Sequence, residues 1–199
     1  MNITSAIFEI SAPNLDSCPP ETLPEFAFIG RSNVGKSSLL NLLAGKKGLA
    51  RVSAVPGYTK LINFFIMNKT WRLVDLPGYG YAHVARENKA KFNDAVNDYL
   101  ENRPNLFCVF VLIDCRLPPQ KIDLEFVQWL GTQEPPFVLV FTKTDKVKAA
   151  QLQKNIELFQ ASLDGTGGSL PEVFTSSSVT KNGVPELLNF IGKTLKASS

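Results

Sequence analysis

The sequence predicts an α/β fold of three layers: a mainly parallel sheet with helices on both faces. Three observations carry that prediction. From Glu25 onward, short apolar runs alternate with segments of helical periodicity. Leu106 to Ile113 and Phe137 to Phe141 are almost continuously apolar, as strands covered on both faces of a parallel sheet must be. A Gly-containing turn, Gly30 to Ser37, joins one such run to a helical segment. The 199 residues suffice for one domain with a substantial core. Residues 1–24 are expected to form an N-terminal extension packing on the domain, and residues 25–199 the domain itself.

The elements follow in order. Ile7 to Ile10 has the composition of a short strand, and a Pro- and Ser-rich connection runs from there to Pro24. Glu25 to Ile29 is a short apolar strand, and Lys36 to Leu43 a helix stopped by Gly45. Leu61 to Ile66 and Thr70 to Val74 read as two strands joined by Met67-Asn68-Lys69 in a hairpin. Arg86 to Leu100 shows helical spacing through Phe92, Val96, Tyr99 and Leu100, and Pro104 marks its end. After the strand Leu106 to Ile113 come the helix Pro119 to Leu130, the strand Phe137 to Phe141 and the helix Val147 to Leu163. Gly165-Thr166-Gly167-Gly168 reads as a flexible link to the last strand, Glu172 to Thr175, and the last helix, Val184 to Leu195. The strands after Pro24 make a mainly parallel six-stranded sheet with one antiparallel strand.

Bulk properties exclude several classes. The net charge of +3 is mild and does not by itself argue for nucleic acid. Cys18, Cys108 and Cys115 have the spacing of neither a zinc site nor a disulfide framework, and Cys108 reads as a buried reduced thiol. No apolar run is long enough to span a bilayer, so no transmembrane segment is expected. Met1 to Pro13 lacks a basic region followed by an apolar stretch, so cytoplasmic placement is the expectation. No heptad pattern suggests a dimer, and a monomer is expected.

Four motifs carry the chemistry. In Gly30-Arg31-Ser32-Asn33-Val34-Gly35-Lys36-Ser37 the glycines let backbone N–H groups crowd around phosphate oxygens at a helix N-terminus. Lys36 can contact the β- and γ-phosphates, the Ser37 hydroxyl can ligate Mg²⁺, and the Ser38 N–H suits the α-phosphate. Asp75-Leu76-Pro77-Gly78 follows a strand, where Asp75 can hold Mg²⁺ through water and the Gly78 N–H can meet a γ-phosphate. Thr59 ends a long loop beginning at Lys46, and a γ-phosphate could order that loop by recruiting Thr59 to Mg²⁺.

The fourth motif, Thr142-Lys143-Thr144-Asp145, selects the base. A carboxylate at Asp145 accepts hydrogen bonds from N1–H and the 2-amino group of guanine, and adenine lacks both donors. The Lys143 stem can cover the base face. Ser176-Ser177-Ser178 either offers N–H groups to guanine O6 or is a plain loop. The order of the motifs predicts a P-loop NTPase domain of the Ras-like kind that binds GTP and GDP with Mg²⁺.

These residues resemble the EngB family of translation-factor-related GTPases over nearly the whole chain. The resemblance rests on Leu23-Pro24-Glu25, Gly30 to Ser38, Pro56-Gly57-Tyr58-Thr59 and Asp75-Leu76-Pro77-Gly78-Tyr79-Gly80-Tyr81. Ser177-Ser178 and Thr180-Lys181-Asn182-Gly183 add to it. Two departures stand out. The base-reading motif of such GTPases usually starts with Asn, here Thr142, and the first switch of the family usually reads Pro-Gly-Arg-Thr-Gln, here Pro56-Gly57-Tyr58-Thr59-Lys60.

The resemblance implies a GTPase needed for assembly of the large ribosomal subunit, whose rRNA and ribosomal proteins would be its partners, with a link to cell division and septation. The nucleotide-contacting set it implies is Gly30, Arg31, Ser32, Asn33, Val34, Gly35, Lys36, Ser37 and Ser38, then Gly57, Tyr58, Thr59, Lys60 and Leu61. It continues through Asp75, Leu76, Pro77 and Gly78, then Thr142, Lys143, Thr144 and Asp145, and ends at Ser176, Ser177 and Ser178. Mg²⁺ falls to Ser37, Thr59 and Asp75, and the residues acting in hydrolysis are Lys36, Thr59, Gly78 and Asn33.

Tyr79 stands where many signalling GTPases carry a water-orienting Gln, so slow intrinsic turnover is expected. Asn33 either stabilises its loop or holds a K⁺ ion, as Asn does at this position in potassium-dependent GTPases. His83, the single histidine, reads as an exposed loop residue rather than a catalyst. Lys46, Lys47, Arg51 and Lys60 either suit rRNA phosphates or form a solvated charged loop.

Overall fold

The computed structural model describes residues 1–49, 61–79, 94–133, 135–163 and 170–197. Gly57, Tyr58, Thr59 and Lys60, with Arg51, Tyr81, His83, the start of the helix expected from Arg86, and Gly165 to Gly168, lie outside the described residues. The strands are β1 (Ala6–Ala12), β2 (Glu25–Gly30), β3 (Ile62–Met67), β4 (Trp71–Asp75), β5 (Leu106–Asp114), β6 (Phe137–Thr142) and β7 (Val173–Thr175). The helices are α1 (Lys36–Leu43), α2 (Asp94–Asn102), α3 (Lys121–Thr132), α4 (Ala149–Leu163) and α5 (Val184–Ala197).

The strands form one sheet in the order β1-β3-β4-β2-β5-β6-β7. β3 pairs antiparallel with both β1 and β4, while the β2, β4, β5, β6 and β7 pairings are parallel. The sheet therefore has seven strands rather than the expected six, because Ala6–Ala12 adds itself to the free edge of β3. The β3–β4 hairpin turns through Asn68 and Lys69, whose φ angles of 50° and 61° give the left-handed backbone conformation that matches a tight hairpin to the right-handed twist of its strands. The Asn68 side chain then secures the start of the chain: its Oδ1 accepts from the Thr4 and Ser5 N–H groups at 2.8 and 3.2 Å, and its amide donates to the Asn2 carbonyl at 2.7 Å.

Both faces of the sheet are covered, which is why the central strands carry no polar alternation. In β5, Val109, Val111 and Ile113 pack with Tyr99 and Leu100 of α2, Phe126 and Leu130 of α3 and Phe159 of α4. The intervening Cys108, Phe110 and Leu112 pack with Leu39, Leu40 and Leu43 of α1 and Leu187 and Ile191 of α5. Aromatic rings fill the second face. Phe28 stacks on Phe110 at 4.5 Å, and Phe26 meets Trp71 edge-on at 5.5 Å.

The N-terminal end of β2 is held by charge. The Glu25 side chain is fully buried between two guanidinium groups. Arg103 donates to its two oxygens at 2.7 and 2.9 Å, Tyr99 donates at 2.9 Å and Arg72 lies at 3.4 Å. Arg72 also reaches Glu9 and the Pro20 carbonyl, and Arg103 reaches the Pro19 carbonyl. Burial, with Glu25 alongside, pushes the Tyr99 hydroxyl far above its ordinary pKa, so it remains a donor. Replacing one member of such a buried group leaves its partners uncompensated. Glu25→Ala is expected to lower the unfolding free energy by about 3–5 kcal/mol, measured by chemical denaturation; a loss below about 1 kcal/mol would show that the two arginines find water instead.

Candidate nucleotide site

Parallel strands end at one edge of a sheet, and that edge gathers the motifs. The register sets Phe28 beside Asp75, Gly30 beside Leu112, Asp114 beside Thr142 and Phe141 beside Thr175. The turn after β2, the Asp75–Gly78 segment, the loop after β6 and the serines after β7 thus emerge side by side.

The phosphate loop depends on its glycines. At Gly30 a Cβ would sit 2.8 Å from the Leu112 carbonyl oxygen and 2.9 Å from Val34 Cγ1, so only glycine lets the loop leave β2 against β5. Gly35 has φ 106° and Asn33 φ 62°, the left-handed turns that bring the chain round into α1. Lys36, Ser37 and Ser38 form the first turn of α1, half-buried, while Ser32 and Asn33 are exposed. The Lys36 ammonium pairs directly with the Asp75 carboxylate. Beyond Asp75, the Leu76 N–H donates to the Phe28 carbonyl at 3.0 Å and the Leu76 and Pro77 side chains are buried. Gly78 lies on the phosphate loop, where a Cβ would come within 2.6 Å of the Gly30 carbonyl oxygen. Leu61 is exposed just ahead of β3.

The loop after β6 grips the phosphate loop. The Thr142 hydroxyl lies 2.6 Å from the Val34 carbonyl oxygen and 3.1 Å from that of Ile113. Lys143 turns through φ 63° and its ammonium donates to the Asn33 carbonyl at 2.5 Å and to Asp114 at 2.8 Å. Asp145 follows on a short 3-10 turn, Thr144–Lys146. It accepts from the Ser177 hydroxyl at 2.7 Å, and this bond holds its carboxyl below the usual range.

Ser177 is itself locked, because its oxygen accepts from the Val179 and Thr180 N–H groups at 3.2 and 3.1 Å. Further along the same loop, Gly183 has φ 81°, and a Cβ there would fall 1.8 Å from the Thr175 carbonyl oxygen. Ser176 is buried and its backbone bonds Phe141 and Thr144; Ser178 is exposed at the surface. An ionised carboxylate at Asp145 can accept hydrogen bonds from N–H donors set before it.

The sequence pattern of a family described as 50S ribosome-binding GTPase matches residues 25–143. A probable GTP-binding protein EngB of Christiangramia forsetii is 50% identical over 96% of this chain and 96% of its own. One of Porphyromonas gingivalis is 52% identical over 96% of this chain and 95% of its own. The chain belongs to the EngB family of GTP-binding proteins. A crystal structure of a probable GTP-binding protein engB, 24% identical, superposes with a TM-score of 0.65 over 87% of this chain and 99% of that one, and shares the fold. As an EngB GTPase the chain binds GTP and hydrolyses it.

Within this EngB chain, three side chains at the site escaped the sequence reading. Asp114 ends β5 and accepts from Arg116 at 2.9 and 2.7 Å as well as from Lys143. Burial opposes its ionisation, but the Arg116 and Lys143 hydrogen bonds outweigh that and hold the carboxyl at about 2. An acid and a base two residues apart, directly after an apolar strand, is the signal that would have found Asp114 and Arg116. Asp123 shares the buried side of α3 with Phe126, Val127 and Leu130. It accepts from Arg31 at 2.9 and 3.1 Å and from the Tyr79 hydroxyl at 2.8 Å. Its signal was a carboxylate on the apolar stripe of a helix. The Arg31 guanidinium is thus engaged with α3, and Tyr79 lies in the core with its ring stacked on Phe126 at 4.3 Å.

The Thr142 hydroxyl supports the phosphate loop where Asn is usual. Thr142→Val keeps the shape, removes the hydroxyl and strips the Val34 carbonyl of that partner. GDP and GTP affinities are expected to fall together by about tenfold, with Thr142→Ser close to the parent; fluorescent-nucleotide titration checks this, and an unimpaired Thr142→Val would show that Thr142 does not support the loop.

Proposed function

We propose that this EngB GTPase is a Mg²⁺-dependent switch that acts in the cytoplasm on precursors of the large ribosomal subunit, through their rRNA and ribosomal proteins, and is thereby linked to normal cell division and septation. The observation that carries the ribosomal part is the match of residues 25–143 to a family described as 50S ribosome-binding GTPase. Among the described residues, no helix is long and apolar enough to cross a membrane.

The geometry supports the switch. Lys36 and Asp75 neutralise one another across the pocket. A triphosphate offers Lys36 a stronger set of negative oxygens, and Asp75 is then left to serve a cation. The oxygen-only donors Ser37 and Asp75 suit Mg²⁺, and among the described residues no group of three acidic, His or Cys side chains could cage a metal alone. Mg²⁺ would therefore be held by Ser37 and, through water, Asp75, together with phosphate oxygens, and would neutralise charge on the β- and γ-phosphates. Thr59 is the third proposed ligand. Gly78, lying on the phosphate loop, is the donor for the γ-phosphate. The Ser177-bound Asp145 reads guanine, with Ser178 exposed in the loop after β7. Tyr79 is buried, so turnover without a partner is slow.

Sucrose-gradient co-sedimentation with ribosomal subunits separates this reading from a GTPase acting elsewhere. The chain loaded with a non-hydrolysable GTP analogue is expected to travel with large-subunit particles, and the GDP-loaded chain to stay at the top. Equal behaviour in both states, or no association, would sink the ribosomal reading. Asn33 is also the proposed ligand of a K⁺ ion, since its carbonyl is taken by Lys143 while its side chain is exposed. Single-turnover hydrolysis is expected to be faster in K⁺ than in Na⁺ at equal ionic strength; identical rates would remove the ion from the account.

A further inference from the structure

Three parts of the molecule meet at one buried carboxylate. Arg31 belongs to the phosphate loop, Tyr79 directly follows Gly78, and Asp123 lies on α3, 92 and 44 positions away from them in the chain. Asp123 is only 1% exposed. Tyr79 is 5% exposed, and its ring lies nearly parallel to that of Phe126, 16° between the planes. A phenol donates a single hydrogen bond, and this one goes to Asp123. Burial pushes the Tyr79 hydroxyl well above its ordinary pKa, so it keeps the proton it donates. Tyr79 therefore directs its hydroxyl to α3 and anchors the segment around Gly78.

That segment is held at both ends. Ahead of Gly78, Leu76 bonds Phe28 of β2; behind it, Tyr79 bonds Asp123. Between them Gly78 rests on Gly30, with its missing Cβ 3.6 Å from the Ser32 backbone nitrogen. Asp123 also grips Arg31, so the phosphate loop and the segment that crosses it are tied to one atom group on one helix.

We propose that Asp123 is a positioning residue for γ-phosphate recognition: by holding Tyr79 and Arg31 together it keeps the Gly78 N–H in place over the phosphate loop before GTP arrives. A donor already in place costs no reorganisation when charge appears in front of it. The effect is differential, because GDP has no γ-phosphate for Gly78 to meet. The proposal rests on the reading of Gly78 as the γ-phosphate donor.

The test compares the full chain with Asp123→Asn, Tyr79→Phe, the double variant and Gly78→Ala. GDP affinity, affinity for a non-hydrolysable GTP analogue and single-turnover hydrolysis are measured for each. Tyr79→Phe keeps the ring on Phe126 and isolates the hydroxyl, should Asp123→Asn loosen α3. Analogue affinity and hydrolysis rate are expected to fall about tenfold in either single variant, with GDP affinity within about threefold of the parent. The double variant is expected to be no worse than the more impaired single one, because both act on the same bond: Tyr79→Phe removes its donor and Asp123→Asn replaces its charged acceptor with a weaker amide oxygen. Equal losses for GDP and the analogue would mean a structural role only and overturn the proposal, as would unchanged analogue affinity. Gly78→Ala tells the two readings apart. If it loses the analogue preference while the other variants keep it, the positioning role fails alone. If it keeps the preference, the γ-phosphate reading fails with it.

Discussion

Two backbone oxygens of the phosphate loop, those of Asn33 and Val34, are taken up by side chains of the loop after β6. The rest of the site depends on this. A loop that turns through positive φ at Asn33 and Gly35 persists only where its surroundings over-determine it. Lys143 and Thr142 supply that constraint from 110 and 108 residues away. The ammonium–carbonyl bond is the stronger of the two, since a charged donor contributes about 1.5–3 kcal/mol against about 1 for a neutral pair. The phosphate loop and the loop after β6 are thus one body. Asp114, ionised and braced by Arg116, completes it by fixing where the Lys143 ammonium can lie.

The same strand that carries the phosphate loop is secured at its other end. Glu25 opens β2 in a shell of Arg72, Arg103 and Tyr99, and Gly30 closes it in contact with β5. Buried ion groups are weak devices for net stability, because desolvation offsets much of the Coulomb gain. Their value here is geometric. Arg72 belongs to β4, which leads to Asp75, and Tyr99 and Arg103 belong to α2 and its end. One carboxylate therefore sets the mutual positions of the strand bearing the phosphate loop, the strand bearing Asp75 and the helix beside them. The N-terminal extension shares the arrangement through Glu9 and the carbonyls of Pro19 and Pro20.

What could be read from the sequence follows from how information is written in it. The central strands were legible because burial on both faces leaves an unbroken apolar run, as in Leu106–Asp114. The phosphate loop was legible because its chemistry demands fixed spacing. β1 was read as a strand but not as a member of the sheet, since its Ile7, Phe8 and Ile10 are partly exposed and only pairing with β3 gives them a place. Asp114, Arg116 and Asp123 could not be assigned by spacing, because each acts across a distance that exists only after β5 and α3 are brought against the phosphate loop. Thr142 was legible as a departure from Asn, yet its reach to the Val34 carbonyl needed coordinates.

The placement of Tyr79 bears on how such a switch keeps time. A positioned group that orients or deprotonates the attacking water accelerates a reaction by about 10²–10⁴. The residue after Gly78, which would be closest to that water, is spent on the core: its ring lies on Phe126 and its hydroxyl on Asp123. What the proposed site would supply is electrostatic, Lys36 and the loop N–H groups set against developing phosphate charge. In the proposed switch such a site would hold the triphosphate without the acceleration a water-orienting group gives, and the length of the GTP state would be set less by the chemistry inside the site than by a partner that completes it from outside.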